Sequence, residues 1–325
     1  MKKIQLVLVM MLAVSLLAAC GSKSGKGDIS ADGVRMYMTV SSGDTFRNAL
    51  MDTAKETAEK MGGTIELRDA EGSLEIQLQQ IQEAVDGGYD VILCNPVDTD
   101  TTLQLQLAAG DIPMVYWNAC PDESRLEADK YVFVGSNEED AGKFQAEYIL
   151  EKYADKDTIN IAIMEGQAMH PATLGRSNAL KNALNHSGKT INYVFDDAAD
   201  WDQERSFVLF DIFLKTGQQV DCVACNNDAM ALGVLDACRE NGVDPQSFDL
   251  VGVDATEEGC SQIEEGNMKF TVYQSATGQG EYAVKAAALL AQGKSLEGLD
   301  YLSDDGKYVW VPFEKVGPDN VKDYE

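Results

Sequence analysis

Basic residues are scarce in this sequence relative to acidic ones. The 325 residues include 26 Lys and Arg against 54 Asp and Glu, which gives a formal net charge of −28 at pH 7. A surface this negative repels phosphate backbones and anionic lipid headgroups. The imbalance argues against nucleic acid as a partner and against charge-driven docking on a membrane. A neutral or cationic small ligand suits this field better.

Histidine is nearly absent, and the motifs of several enzyme classes are missing. The chain has two histidines, no Gly-x-Ser-x-Gly elbow, no P-loop and no metal-ligand cluster. The pair Cys222 and Cys225 is not followed by a second C-x-x-C, so a closed zinc site is not indicated. Residues three apart on a strand face opposite sides of the sheet, so we expect buried thiols acting as small hydrophobes. We predict no catalytic residue, no cofactor and no metal.

Long apolar runs are also missing, except for one near the N-terminus. Residues 4–17 form a run that is apolar apart from Gln5 and Ser15; it follows Lys2 and Lys3 and leads into the small residues before Cys20. The run is short for a transmembrane helix and is typical of a signal peptide; a buried core helix is the alternative. Residues 1–20 resemble a bacterial lipoprotein signal, which implies lipidation of Cys20 and an exported protein anchored on the outer, or periplasmic, face of a membrane. Residues 21–33, rich in Gly, Ser and Lys, are predicted to be a flexible linker.

From residue 34 onward, strand-like and helix-like stretches alternate. Residues 34–40 are apolar and rich in β-formers, and apolar residues then recur at helical spacing from Phe46 to Met61. Alternation of this kind predicts a parallel sheet with helices on both faces. The pattern restarts after residues 131–134. We therefore predict an α/β fold with two doubly wound parallel-sheet lobes.

Polar and aromatic residues occur where the predicted strands end, which is where such sheets bind ligands. Planar Asp, Asn, Arg and Gln side chains can engage two neighbouring hydroxyls, and aromatic rings offer flat apolar faces. Their combination predicts a site for a neutral polyol. The candidate ligand-binding residues are Asp44, Phe46, Asn118, His170, Arg176, Trp201, Asn227, Asp254 and Gln274.

Each candidate also has a local explanation. Asp44 could cap the helix that it opens, and Phe46 could be a core residue of that helix. His170 could lie in a turn, Arg176 could form a surface ion pair, and Asn227 with Asp228 could form a turn and a cap. The prediction of a site depends on the whole set.

Several segments resemble the type I sugar-binding proteins of ABC transporters, most closely the glucose/galactose-binding proteins. The resemblance covers the chain from Val34 onward. It is carried by residues 226–233, 251–255, 112–118, 131–135, 200–202 and 311–313, and by His170, Pro171 and Arg176.

This resemblance implies two lobes joined by a hinge of three crossings, near Gly135, Ser275 and Leu302, and ligand contacts at the nine candidate residues. It also implies capture of a glucose- or galactose-like monosaccharide by hinge closure and delivery to an ABC permease, by a protein expected to be a monomer. The predicted N-terminal lobe comprises residues 34–135 and 276–302, and the C-terminal lobe comprises residues 136–275 and 303–325.

Two other functions stay open at this point. A ligand receptor that signals to a chemotaxis or kinase sensor would have the same sequence features. A glycoside-acting enzyme could use Asp44 and Asp254 as an acid/base pair. The sequence Gly278-Gln279-Gly280 with Ala283 matches a dinucleotide-binding pattern, but no strand ending in an acidic residue follows about twenty positions later.

The sequence departs from the galactose binders at several positions. Val40 stands where they have tyrosine, Ala172 where they have aspartate, and Gln274 where they have asparagine, as in ribose binders. Residues 153–158 are too few for their calcium loop, so no structural calcium is expected there.

Overall fold

The described part of the chain, residues 29–324 of a computed structural model, contains two parallel sheets with helices on both faces. This arrangement confirms the predicted α/β class with two doubly wound units. The predicted signal peptide, including Cys20, and residues 21–28 of the predicted linker lie outside the described residues.

The first sheet has six strands, and every neighbouring pair in it is parallel. In spatial order, its strands are β11 (Tyr308–Trp310), β5 (Tyr131–Gly135), β4 (Met114–Trp117), β3 (Val91–Cys94), β1 (Arg35–Val40) and β2 (Thr64–Asp69). One face packs on α1 (Thr45–Lys60) and α9 (Ala276–Ala291), and the other on α2 (Leu74–Asp86) and α3 (Thr102–Ala109). Helix α9, late in the chain, therefore contributes to the core of the first unit.

The second sheet has four parallel strands and a short antiparallel pair beside them. The strands in spatial order are β7 (Thr190–Ala198), β6 (Thr158–Glu165), β8 (Cys222–Cys225) and β9 (Asp249–Val251), and the pair is β10 (Thr271–Tyr273) with β12 (Glu314–Val316). One face packs on α4 (Glu138–Lys152) and α5 (Pro171–Asn185), and the other on α6 (Gln203–Lys215), α7 (Asp228–Asn241) and α8 (Glu257–Glu264).

The two cysteines of β8 lie on opposite faces of the second sheet, as the strand alternation predicts. Cys222 packs in the core under α4 and α5, and Cys225 packs in the core under α6 and α7. Both thiols are free, and burial raises the pKa of each. Within residues 29–324, no group of His, Cys and acidic residues could hold a metal ion.

The third passage between the sheets lies later in the chain than the sequence indicated. Strand β11 pairs with β5, and the Val311 amide donates to the Gly135 carbonyl at 2.9 Å. Phe313 is then buried in the second core. A crossing near Leu302, with residues 303–325 in the C-terminal lobe, is therefore wrong, because β11 completes the first sheet. A strand of three residues carries no local signal of which sheet it joins.

The folded part of the chain begins before residue 34. The Ala31 side chain is fully buried, and its amide donates to the Met61 carbonyl at 2.8 Å. Gln292 Nε2 donates to the Ser30 carbonyl at 2.6 Å. The predicted end of the linker at residue 33 is therefore wrong. Its small residues suggested a flexible tether, but one of them, Ala31, is part of the core. Among the described residues, no helix combines the length and hydrophobicity needed to span a bilayer.

A lysine ammonium group holds the turn that follows α4. Lys189 Nζ donates to the carbonyl oxygens of Tyr153, Ala154 and Lys156 at 3.0, 2.8 and 2.6 Å. An ammonium group has three donors and no acceptor, so these bonds use its full capacity. The turn lies in the segment where the resemblance would place a calcium loop. Here the Lys189 ammonium group binds the carbonyl oxygens of the turn.

Replacing Lys189 with methionine should lower the free energy of unfolding by about 2 kcal/mol, because three carbonyls lose charge-assisted hydrogen bonds. Urea denaturation measures the change. Lys152→Met, at an exposed position in the last turn of α4, is the matched control and should change stability by less than about 0.5 kcal/mol. Equal losses in the two variants would show that the bonds to the turn contribute nothing.

Candidate functional site

The carboxyl ends of both sheets border one cleft, and the structure brings all nine candidate residues to it. A cavity of about 60 Å³ adjoins a larger one of about 460 Å³, and residues that border both include Phe46, Trp201 and Asp254. The smaller cavity is lined by Asp44, Phe46, Arg47, Asn118, His170, Ala172, Arg176, Trp201, Asn227, Asp254 and Gln274.

Asp44, at the exposed rim, is both a helix cap and a cavity residue. Its Oδ1 accepts from the Arg47 amide at 2.7 Å, which caps α1, and its Oδ2 accepts from Arg47 Nε at 2.8 Å. Arg47 Nη1 also donates to Ser41 Oγ at 2.6 Å. Residues at and just before the start of α1 therefore hold the Arg47 guanidinium group at the cleft.

Two aromatic side chains border the cleft from different units. Phe46 is half-buried against the first core and Trp201 against the second. The backbone at Trp201 is left-handed, with φ of 67°, and Asn227 Nδ2 donates to its carbonyl at 3.3 Å. A Cβ atom on Gly166 would lie 2.2 Å from Trp201 ring atoms. The indole plane can occupy this place only because residue 166 has no side chain.

Arg176 is the most extensively bonded residue of the site. It is 3% exposed, so the alternative of a surface ion pair is wrong. Its Nε donates to Glu138 Oε2 at 2.6 Å, and its Nη1 donates to the Asn226 carbonyl at 2.5 Å. Its Nη2 donates to Gln274 Oε1 at 3.1 Å. A buried guanidinium held at three nitrogens has one defined orientation.

Two carboxyl groups near the cleft lie in different settings, with Asp228 buried and Asp254 at the cavity wall. Asp228 accepts from Thr271 Oγ1 at 2.7 Å and from the Thr256 amide at 2.9 Å, and burial raises its pKa to about 6. Asp254 Oδ1 lies 3.9 Å from Arg176 Nη1. Burial raises the pKa of Asp254, and the Arg176 charge opposes that rise. Of the two, Asp254 borders the cavity and can accept bonds from a ligand.

Gln274 has a donor with no protein partner. Its Oε1 accepts from Arg176, while its buried Nε2 has no hydrogen-bond partner within residues 29–324. A buried N–H group without a partner costs about 1–3 kcal/mol. This donor, in a residue that lines the cavity, suits a ligand oxygen.

Sequence reasoning missed several residues of the site. Arg47 lines the cavity, and its spacing of three residues from Asp44 at a helix start was an available signal. Ala172, noted only as a departure, also lines it. Glu138 and Asn226 hold Arg176 from other elements, and no local pattern marks them for that role.

His170 closes a turn, where its amide donates to the Gln167 carbonyl at 3.1 Å, and it also caps α5 through its ring. Its Nδ1 accepts from the Ala172 amide at 3.2 Å, and its ring meets the Trp201 ring edge-on at 5.5 Å. Burial, together with the smaller effect of the Arg47 and Arg176 charges, lowers the pKa of His170 to about 4. The imidazole is neutral at physiological pH and can accept or donate one bond at its other nitrogen.

We expect His170 to reduce stability as pH falls from 6.5 to 4. In that window the unfolded chain binds a proton at this residue and the folded chain does not, so the free energy of unfolding decreases. Asp228 acts in the opposite sense below pH 6. His170→Asn keeps a capping side chain without the titration, so this variant should lose less stability than the wild type between pH 6.5 and 4. Denaturant unfolding across that range measures it, and parallel profiles would contradict the assignment.

Comparison with known proteins gives consistent matches over most of the chain. The family model described as a periplasmic binding protein domain matches residues 36–295. A putative rhizopine-binding protein of Rhizobium meliloti is 31% identical over 286 residues, which cover 87% of this chain and 88% of that protein. The D-galactose/methyl-galactoside binding periplasmic protein of Haemophilus influenzae is 26% identical, covering 100% of this chain and 99% of that protein.

Solved structures share the fold. An ABC transporter solute binding protein from Bacillus halodurans, solved with bound myo-inositol, is 29% identical with a TM-score of 0.78, covering 92% of this chain and 99% of that one. A periplasmic solute binding protein from Actinobacillus succinogenes, solved with bound D-allose, is 19% identical with a TM-score of 0.77, covering 90% of this chain and 100% of that one. The second likeness concerns the fold alone.

Proposed function

This chain belongs to the periplasmic binding protein domain family of extracytoplasmic solute-binding proteins, which are not enzymes, and we propose that it captures a monosaccharide or a cyclitol of similar size. The bound ring would lie in the cleft between its two units and then be delivered to an ABC permease. The observation that carries the proposal is the convergence of Phe46 and Trp201, from separate cores, with planar hydrogen-bonding groups on one cavity.

The chemistry of the cleft suits a neutral ring that carries several hydroxyl groups. Asp44, Asp254 and the Gln274 amide supply acceptors and a donor, and Arg47 and Arg176 supply guanidinium donors. Aromatic faces pack against the C–H surfaces of such a ring. The relatives whose names or structures involve galactose and myo-inositol support this class. Ala172 at the cavity argues that one polar contact of the galactose binders is replaced here.

Capture would proceed by closure of the two units on the ligand. The ring first contacts one unit, and closure lets the other unit complete its hydrogen bonds. Ligand shifts the balance toward the closed form only by binding that form more tightly. The closed form is then what a permease, or a sensor if the chain acts as a receptor, would recognise. Co-purification with one or the other partner distinguishes transport from sensing.

The same proposal includes a monomer held at the outer face of a membrane by lipid on Cys20. The short apolar run that ends at Cys20 supports this anchor. Cys20→Ser should release the protein from membranes in cell fractionation, and unchanged membrane association of that variant would contradict the anchor.

A ligand panel tests the proposed class. Isothermal titration and thermal unfolding would compare D-glucose, D-galactose, D-ribose and myo-inositol with leucine and glutamate as controls of another solute class. At a ligand concentration of one hundred times the Kd, a bound ring should add about 2.7 kcal/mol to the free energy of unfolding. No response to any ring, together with a response to an amino acid, would contradict the proposal.

A further inference from the structure

The chain passes between the two units three times, and each passage enters the second unit beside Arg176. The first passage runs from β5 to α4 and reaches Glu138. The second runs between β10 and α9 and includes Gln274. The third runs from β11 to β12 and includes Phe313. These three residues come from positions far apart in the sequence, and each is at the second-unit end of its passage.

All three residues contact the Arg176 guanidinium group. Glu138 Oε2 accepts from Nε at 2.6 Å, Gln274 Oε1 accepts from Nη2 at 3.1 Å, and the Phe313 ring centroid lies 5.7 Å from Cζ. Arg176 is 3% exposed and Phe313 is 7% exposed. We call Glu138, Gln274 and Phe313 the hinge collar. The hinge collar thus connects Arg176, which lines the cavity, to all three passages between the units.

We propose that the hinge collar couples occupancy of the cavity to the angle between the two units, with Glu138 as the positioning residue that orients Arg176. The inference rests on the proposed function, since the ligand is taken to contact Arg176. Guanidinium is planar and rigid, so a bond formed at one nitrogen constrains the directions of the others. A ligand that engages Arg176 therefore acts on the three passages through a single group.

The local bonding favours a role beyond general packing. Gln274 presents its oxygen to Arg176 and leaves its buried Nε2 without a partner within residues 29–324, so one ligand atom at this amide would contact a passage directly. Gln279 Nε2 donates to Ser136 Oγ at 3.0 Å, which links the start of α9 to the first passage. The Val311 amide donates to the Gly135 carbonyl at 2.9 Å, so the first passage is bonded to both of the others.

Glu138→Gln tests the coupling, with Glu139→Gln as its matched control. Glutamine keeps the size and one acceptor oxygen of Glu138 but removes the charge that orients Arg176. Glu139 lies in the same helical turn, is exposed, and pairs with Lys143 at 3.0 Å. The probes are D-galactose and myo-inositol, with affinity from titration calorimetry and closure from the radius of gyration at saturation. Amide hydrogen exchange of residues 136–137 and 274–275, and of Val311 and Phe313, is measured without ligand.

We expect Glu138→Gln to bind the better probe at least tenfold more weakly and to close less at saturation, while Glu139→Gln matches the wild type. Hydrogen exchange in the three passages should rise at least fivefold in Glu138→Gln alone. Phe313→Leu, which keeps an apolar side chain, should raise the same exchange rates and provides a second test should Glu138→Gln not fold.

The outcomes separate this inference from the proposed function. If the wild type binds neither probe, the proposed ligand class is wrong. The hydrogen-exchange measurement, which needs no ligand, still tests whether Glu138 restrains the three passages. Exchange and closure in Glu138→Gln equal to those in Glu139→Gln would overturn the hinge collar, even with normal ligand binding by the wild type.

Discussion

Replacing Arg176 with methionine is expected to abolish ligand binding and to lower the free energy of unfolding by about 3–5 kcal/mol. The substitution leaves the half-buried Glu138 carboxylate without the cation that now lies 2.6 Å away. It also removes the positive charge that opposes the rise in the pKa of Asp254. The Asn226 carbonyl and Gln274 Oε1 lose their donor as well. Denaturant unfolding and titration calorimetry measure the two effects.

A double variant separates the charge from the binding role. In Arg176→Met with Glu138→Gln, no unpaired carboxylate is left at residue 138, so part of the lost stability should return. Ligand binding should not return, because the guanidinium donors are still missing. A double variant as unstable as Arg176→Met alone would show that the Glu138 charge is not the cause. Ligand binding by either variant would show that Arg176 is not needed to bind the ligand.

Gly166→Ala is expected to weaken ligand binding at least tenfold without deleting any group that contacts ligand. The added methyl would lie 2.2 Å from two atoms of the Trp201 ring, so the indole must move. Because protein interiors are closely packed, neighbouring atoms must shift to relieve this overlap, and the free energy of unfolding should fall by about 1–3 kcal/mol. Calorimetry of ligand binding and denaturant unfolding measure the outcome.

Gly317→Ala is the control for that change. A Cβ atom on Gly317 meets only the Lys269 carbonyl oxygen, at 3.9 Å, which is an ordinary contact. This variant should bind ligand as the wild type does. If Gly166→Ala also kept full affinity, the position of the Trp201 ring would not matter for binding, and the stacking role proposed for it would fail.

Much of the secondary structure could be predicted because its signals are local. The strand pattern over residues 34–40 and the helical spacing from Phe46 to Met61 agree with β1 and α1 in the structure to within one residue. Asp202 and Asn227 occupy the caps before α6 and α7, and each accepts a bond from a backbone amide three residues on. Cys222 and Cys225 are buried on opposite faces of the second sheet, which likewise follows from the period of two along a strand.

Placement across the chain could not be predicted in the same way. Strand β11 has three residues, and nothing in them says that they extend the first sheet beside β5. Ala31 looks like part of a tether but fills a core position. Burial and pairing of this kind depend on contacts between distant segments, which composition and periodicity do not contain.

The candidate site shows why residues at strand ends can be informative and ambiguous at once. Asp44 and Asn227 each cap a helix and His170 closes a turn, as the local alternatives require, and all three also line the cavity. Helix starts face the carboxyl ends of parallel strands, so one side chain can serve both purposes. Glu138 shows the opposite case, because its contact with Arg176 spans 38 positions and leaves no pattern in the sequence.

The most direct test of the central claim is a crystal structure of the protein with the tightest-binding ring of the panel. We expect one ring in the cleft, with its faces toward Phe46 and Trp201. We also expect hydrogen bonds to the ring from both units, including Arg176. A ring bound elsewhere on the surface, or held by residues of one unit with the two aromatic side chains apart from it, would show that the cleft is not the binding site.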